Sequence, residues 1–207
     1  ENARLAVVTQ AVGMLNPDQA EKVKALYTHP ARYLDEKHTA LLPRTKELVT
    51  LALVRLASDD PAAAAEQLGK LRWRTQLTQE ERSYAWGVVG KRAAMRLSDQ
   101  AMEYFAHAQD KYLHPDHLEW KVRAALRAGN WRQVLDATAA MDETQRQDPA
   151  WVYWRARALL QPDRPAADRT LATSLLEGIA GVRGFYEQLA LEELGRKISA
   201  PPEPAPL

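Results

Sequence analysis

Residues 119–131 read EWKVRAALRAGNW, and the pattern of this stretch decides the architecture. Trp120 is followed one helical turn later by the small Ala124, Gly129-Asn130 turns the chain, and Trp131 opens a second helical run that reaches Met141. A helix stopped at glycine and resumed within a few residues makes an antiparallel pair. The signature of a ring followed by a small residue recurs on both sides. Trp86, Trp120 and Trp154 are 34 residues apart, and Gly90, Ala124 and Ala158 each stand four residues further on. A bulky ring with a small neighbour one turn later lets the next helix approach closely. The 34-residue period is the length of one tetratricopeptide helix pair. Other positions of that repeat are filled erratically: Arg123 and Arg127 stand where apolar residues belong, and Ala52, 34 residues before Trp86, supplies no ring. The expectation is an all-α fold, a curved α-solenoid or superhelix of antiparallel helix pairs, TPR-like in period. Each pair in such a stack buries its apolar face mainly against its neighbours.

Working outward, apolar residues recur at spacings of three and four, and the alternating β-branched runs of strands are missing. The spacing predicts helices over about 3–15 and 18–28, with a short turn at Ala31–Leu34 after the break at His29-Pro30. The run from Lys46 to Ala57 is apolar except at Lys46, Glu47, Thr50 and Arg55, so it should be packed on several sides. Helix starts are expected at Asp60-Pro61, at the capping box Thr78-Gln79-Glu80-Glu81, at Ser98 and at His114-Pro115-Asp116. Helices near 149–160, 166–180 and 184–195 complete a set of about ten, each of about 10–16 residues. The expected organisation is one helical scaffold over 1–197 and a proline-rich linker or artificial chain end over 198–207.

Composition excludes several functions. The 207 residues carry 28 Lys plus Arg against 27 Asp plus Glu, a net charge of +1, which gives no surplus of cations for nucleic acid or an acidic membrane. With no cysteine, disulfide scaffolds, thiol catalysis and thiolate metal sites fall away. No apolar run approaches the roughly 20 residues that span a bilayer. Glu1 opens into helix-like sequence without a leader, so the chain is read as soluble, and any export signal is expected outside these residues.

Side-chain constellations point to little chemistry. Glu80-Glu81 and Glu192-Glu193 are adjacent acid pairs, but they sit among charges at helix starts and surfaces, where caps and solvated faces explain them. Among His29, His38, His107, His114 and His117, only His114 and His117 have metal-like spacing, with Asp110, Asp116 or Glu119 as further ligands. Pro115 between them should keep the two rings off a shared face, so no metal and no cofactor is expected. Gly178, Gly181 and Gly184 lack the strand and the Lys-Ser/Thr pair of a phosphate cradle, and end a helix instead. Aromatic residues interleaved with arginine remain: Arg72-Trp73-Arg74, and Trp151 to Arg157. Exposed rings stack on sugar faces, and guanidinium groups grip carboxylates. The plainer alternative is that Trp154, on the repeat position, is core and that arginine stems cover its rim. Tyr153, Arg155 and Arg157 are the candidate contacts, with Tyr186 further along; successive helix positions diverge, so they cannot contribute equally.

Three blocks then acquire a joint meaning: Glu119 to Trp131, Trp151 to Leu159, and Gly184-Phe185-Tyr186-Glu187-Gln188-Leu189-Ala190-Leu191-Glu192-Glu193-Leu194-Gly195. In this order they resemble the end of the superhelical domain of the soluble lytic murein transglycosylase family, over roughly 117–197. The resemblance implies a periplasmic parent enzyme that cleaves the bond between N-acetylmuramic acid and N-acetylglucosamine, leaving a 1,6-anhydro end. In that family a Glu in a Glu-Ser motif is the acid and base; no Glu-Ser pair occurs here, so no catalytic residue carries over. The expectation is a non-catalytic scaffold segment whose catalytic and linker domains lie outside this chain and whose partner, through the parent, is the peptidoglycan glycan strand. The rival expectation is a TPR-like adaptor that grips a peptide or partner helix.

Overall fold

The structure, a computed structural model, describes residues 17–36, 40 and 42–198. The helix expected over 3–15, His38 and the proline-rich end lie outside the described residues. Within them the chain forms α-helices and one 3₁₀ turn, with no strand. Contacts divide the chain into two compact units, 1–124 and 125–207.

In the first unit, α1 (Pro17–Thr28), α2 (Pro30–Asp35), α3 (Pro43–Asp59), α4 (Pro61–Gly69), α5 (Leu71–Gln76), α6 (Gln79–Met95) and α7 (Ala101–Ala106) follow one another through short turns. The 3₁₀ turn Asp110–Tyr112 then leads into α8 (Pro115–Arg127), within which the division falls. The apolar run in α3 behaves as its composition requires. Val49, Ala52, Leu53, Leu56 and Ala57 are buried, and the helix packs against α1, α2, α4 and α6. Leu26, Leu34, Leu68, Trp73, Val89 and Phe105 fill the surrounding core, each with at most 1% of its surface exposed. Every such aliphatic side chain removed from water contributes about 1.5–3 kcal/mol.

The expected caps are present. Asp60 accepts hydrogen bonds from the backbone N–H groups of Ala62 and Ala63, both at 3.0 Å. Thr78 accepts from Glu81 N at 3.2 Å while the Glu81 carboxylate accepts from Thr78 N at 2.7 Å, closing the capping box. Ser98 differs: its hydroxyl accepts from Gln100 N at 3.3 Å, but α7 begins only at Ala101. What stops α6 is Leu97, whose φ of 57° is left-handed. Leu97 N donates to Ala94 O and Ser98 N to Ala93 O, both at 3.0 Å, which is the bonding of a Schellman motif with leucine where glycine is usual. Glycine does occupy the equivalent place after α8, where Gly129 has φ 64° and Asn130 N donates to Ala125 O.

In the second unit, α9 (Trp131–Ala140), α10 (Glu143–Gln147), α11 (Pro149–Leu159), α12 (Ala166–Ile179) and α13 (Phe185–Glu193) pack around α11. Tyr153, Ala156 and Leu159 of α11 meet Ala172, Leu176 and Ala190 in its core. The small residues on the repeat positions work as expected. Gly90 and Ala158 are buried, and a Cβ on Gly90 would lie 2.8 Å from the Phe105 ring, so α6 and α7 are in contact because there is no side chain between them. Three short helices depart from the expectation: α2 replaces the turn at Ala31–Leu34, while α5 and α10 were not expected at all. Each has five or six residues, less than two turns, so apolar periodicity has no room to show.

Candidate functional site

Asp148 starts α11 by accepting from Ala150 N at 2.8 Å, and Pro149 follows where its missing N–H costs nothing. The helix therefore begins at a fixed register, and Tyr153 and Arg157, four residues apart, share a face. Gly184, extended at φ −108°, starts α13 and delivers Phe185 and Tyr186 to the same region. The Tyr186 ring lies 5.7 Å from that of Tyr153, and the Phe185 ring meets Tyr186 edge-on at 5.2 Å.

Tyr153 is 5% exposed and forms the floor of this arrangement. Its hydroxyl donates to Glu193 Oε1 at 3.4 Å, and Arg157 forms an ion pair with the same carboxylate. Burial raises the Tyr153 pKa above the ordinary phenol range; Arg157 opposes the shift and Glu193 adds to it. For Arg157, burial works against the charge, but Glu193 and the Tyr153 hydroxyl outweigh it and the guanidinium is held more firmly protonated. Tyr153, Arg157 and Tyr186 thus come together, with Glu193 as the group that ties them. Arg155 does not join them: two residues from Tyr153, it points to another side of α11. Phe185 is the residue that sequence reasoning missed. It is 70% exposed, and its place at the first position of α13, flanked by Gly184, was the available signal.

The other aromatic and arginine run resolves differently. Trp73 is fully buried and Arg72 lies over its ring at 4.1 Å, so Arg72 covers a core side chain. In α11, Trp151 and Tyr153 are more deeply buried than Trp154, which packs at the edge of the core. Of the acid pairs, Glu81 serves the cap and reaches Lys46 at 3.4 Å, and Glu193 is engaged with Arg157.

The histidine reading needs one correction. The rings of His114 and His117 are adjacent, with centroids 5.8 Å apart. His117 N donates to His114 O at 2.8 Å, so the turn that opens α8 brings residues three apart to one side despite the intervening proline. His117 is 5% exposed, its Nδ1 has no hydrogen-bond partner, and a Cβ on Gly87 would meet that atom at 2.5 Å. Burial, reinforced by His114 and Lys91 and opposed by Asp116, lowers its pKa to about 4. The ring is neutral at ordinary pH and belongs to the core.

No family model matches the chain. It is similar to the soluble lytic murein transglycosylase of Escherichia coli K12, 22% identical over 97% of this chain and 31% of the relative. It is also similar to the enzyme of the same name from Salmonella typhimurium, 24% identical over 78% of this chain and 25% of the relative. The chain therefore spans about a third of the length of the curated relatives it matches. Among solved structures, an inactive mutant of the lytic transglycosylase Slt of Pseudomonas aeruginosa superimposes with a TM-score of 0.68 at 24% identity, covering 95% of this chain and 32% of that one. The 70 kDa soluble lytic transglycosylase of Escherichia coli gives 0.69 at 20% identity, covering 98% and 33%. At these identities the structural likeness shows a shared fold. The resemblance noted over 117–197 extends over nearly the whole chain.

Proposed function

We propose that this chain is a non-catalytic superhelical scaffold segment of a periplasmic peptidoglycan lytic transglycosylase, with 1–197 as the scaffold and the proline-rich 198–207 as a linker or artificial chain end. The observation that carries this reading is the coverage: sequence and fold both align over 95% or more of this chain with enzymes three times its length that bear that name. The charged groups support it, since the most conspicuous acids, Glu81 and Glu193, are occupied by a cap and by Arg157. The proposed contact surface for glycan strands is the Phe185–Tyr186 pair, resting on Tyr153 and on Arg157 with its Glu193 partner, with Arg155 as a separate contact on α11. Rings of this kind pack against the apolar faces of sugars.

The test has two arms. The full gene product should release anhydro-muropeptides from purified sacculi, whereas residues 1–207 alone should sediment with sacculi and release none. Replacing Phe185 and Tyr186 together by Ala should reduce sedimentation. Turnover by the 207-residue chain would overturn the assignment of roles. A stoichiometric protein partner with no affinity for murein would favour the adaptor reading instead.

A further inference from the structure

We infer that a cleft of about 570 Å³ in the 1–124 unit, between α4, α5, α6 and α7, is a binding site for a carboxylate carried on a flat or apolar body. Trp86 forms its floor. It is 8% exposed, stacked against the His107 ring at 4.4 Å and 27°, with Tyr104 beyond at 6.2 Å. Arg74, Arg82 and Glu103 are the charged residues that line it. Arg82 is held in place by neutral acceptors: Nη1 donates to the Arg74 carbonyl and Nη2 to Gln79 Oε1 at 2.6 Å. A guanidinium has five N–H donors, so three remain for a ligand.

Neither Arg74 nor Arg82 has a carboxylate partner among the described residues, so two guanidinium charges that line the same cleft are left uncompensated by an acid. A fixed, partly desolvated fork beside a second guanidinium matches the bidentate geometry of a carboxylate. The aromatic floor provides a surface for a ring or an aliphatic body, and Glu103 can accept a hydrogen bond from an amide or hydroxyl of the same ligand. The volume falls in the range of small-molecule sites. Two sources carry this chemistry, an acidic amino sugar and a peptide C-terminus. The inference rests on residues of this unit alone and is independent of the scaffold reading, because sacculus sedimentation can fail while small acids still bind, and the reverse.

The experiment is a ¹⁵N NMR titration of the 207-residue chain, following the Trp86 indole N–H. The probes are N-acetylmuramic acid against N-acetylglucosamine, its parent without the lactyl carboxylate, and acetyl-D-alanyl-D-alanine against its C-terminal amide. At least one acid should bind and shift the Trp86 signal, the neutral counterparts should not, and the stronger acid identifies the source. Arg82→Gln should weaken binding by about tenfold or more, the effect expected from losing hydrogen bonds to a charged group. Arg74→Gln, on an exposed side chain, should weaken it several-fold, while Arg169→Gln, which is not in the lining of the cleft, leaves it unchanged. If Arg82→Gln fails to fold by circular dichroism, Arg74→Gln decides. Equal binding of acid and neutral probes, no binding of either acid up to about 10 mM, or full affinity in the arginine variants would overturn the proposal.

Discussion

Gly90 offers a sharp test of how the helices are packed, because two opposing effects meet there. Alanine is favoured over glycine in a helix interior by about 1 kcal/mol, so Gly90→Ala should stabilise if the site has room. It has none: the new Cβ would lie 2.8 Å from Cδ1 and Cγ of Phe105 and 2.9 Å from Cδ2. Phe105 is fully buried, so its ring cannot swing into solvent, and inserting one carbon into a close-packed site costs about 1–3 kcal/mol. The clash wins, and the net expected loss is about 1 kcal/mol. Gly178→Ala is the matched control. It lies in α12, nothing comes within 4 Å of its added Cβ, and a gain of about 0.5 kcal/mol is expected. Urea unfolding followed by circular dichroism should move the midpoint down for Gly90→Ala and up for Gly178→Ala. If Gly90→Ala matched or exceeded the parent, the close approach of α6 and α7 through a missing side chain would be refuted.

Other outcomes follow from local chemistry. Leu97→Gly should stabilise by about 1 kcal/mol in the same assay, since leucine in a left-handed conformation costs about 1–2 kcal/mol and this side chain is 64% exposed. Asp60→Ala should cost about 1 kcal/mol by leaving the Ala62 and Ala63 N–H groups without their acceptor. His117 has a folded pKa of about 4, below its unfolded value near 6.5, so the unfolded chain binds the proton more readily between those values. Its contribution is complete above about pH 6.5 and is lost as pH falls toward 4, by up to about 3 kcal/mol. Unfolding midpoints measured from pH 7 to 4 should show this slope, and His117→Phe should flatten it.

Much of the fold was legible because its signals are local. Asp60-Pro61, Thr78 to Glu81 and Gly129-Asn130 each carry the whole chemistry of a helix end within four residues, and all three act as expected. Ser98 marked where α6 ends near Leu97, but how it ends was illegible, because leucine gives no sign of a left-handed backbone; only the bonding of Ala93 and Ala94 shows it. The candidate site was legible in part. Tyr153, Arg157 and Tyr186 could be named from ring and guanidinium chemistry, but Glu193, which joins them, lies 40 residues from Tyr153 and is fixed only by packing. The cleft around Trp86 was hidden for the same reason, since its walls run from Ala65 to His107.

One buried pair also provides a tool. Lys121 is only 5% exposed at its side chain, and its ammonium donates to both carboxylate oxygens of Asp110, at 2.6 and 2.8 Å. Amine-reactive acylating reagents need a free, solvated amine, so this lysine should stay unlabelled long after Lys22, Lys24 and Lys111, which are exposed, have reacted. Its rate of modification then clocks the opening of the 3₁₀ turn away from α8. Mass spectrometry of one peptide thereby becomes a gauge of local breathing in this part of the chain.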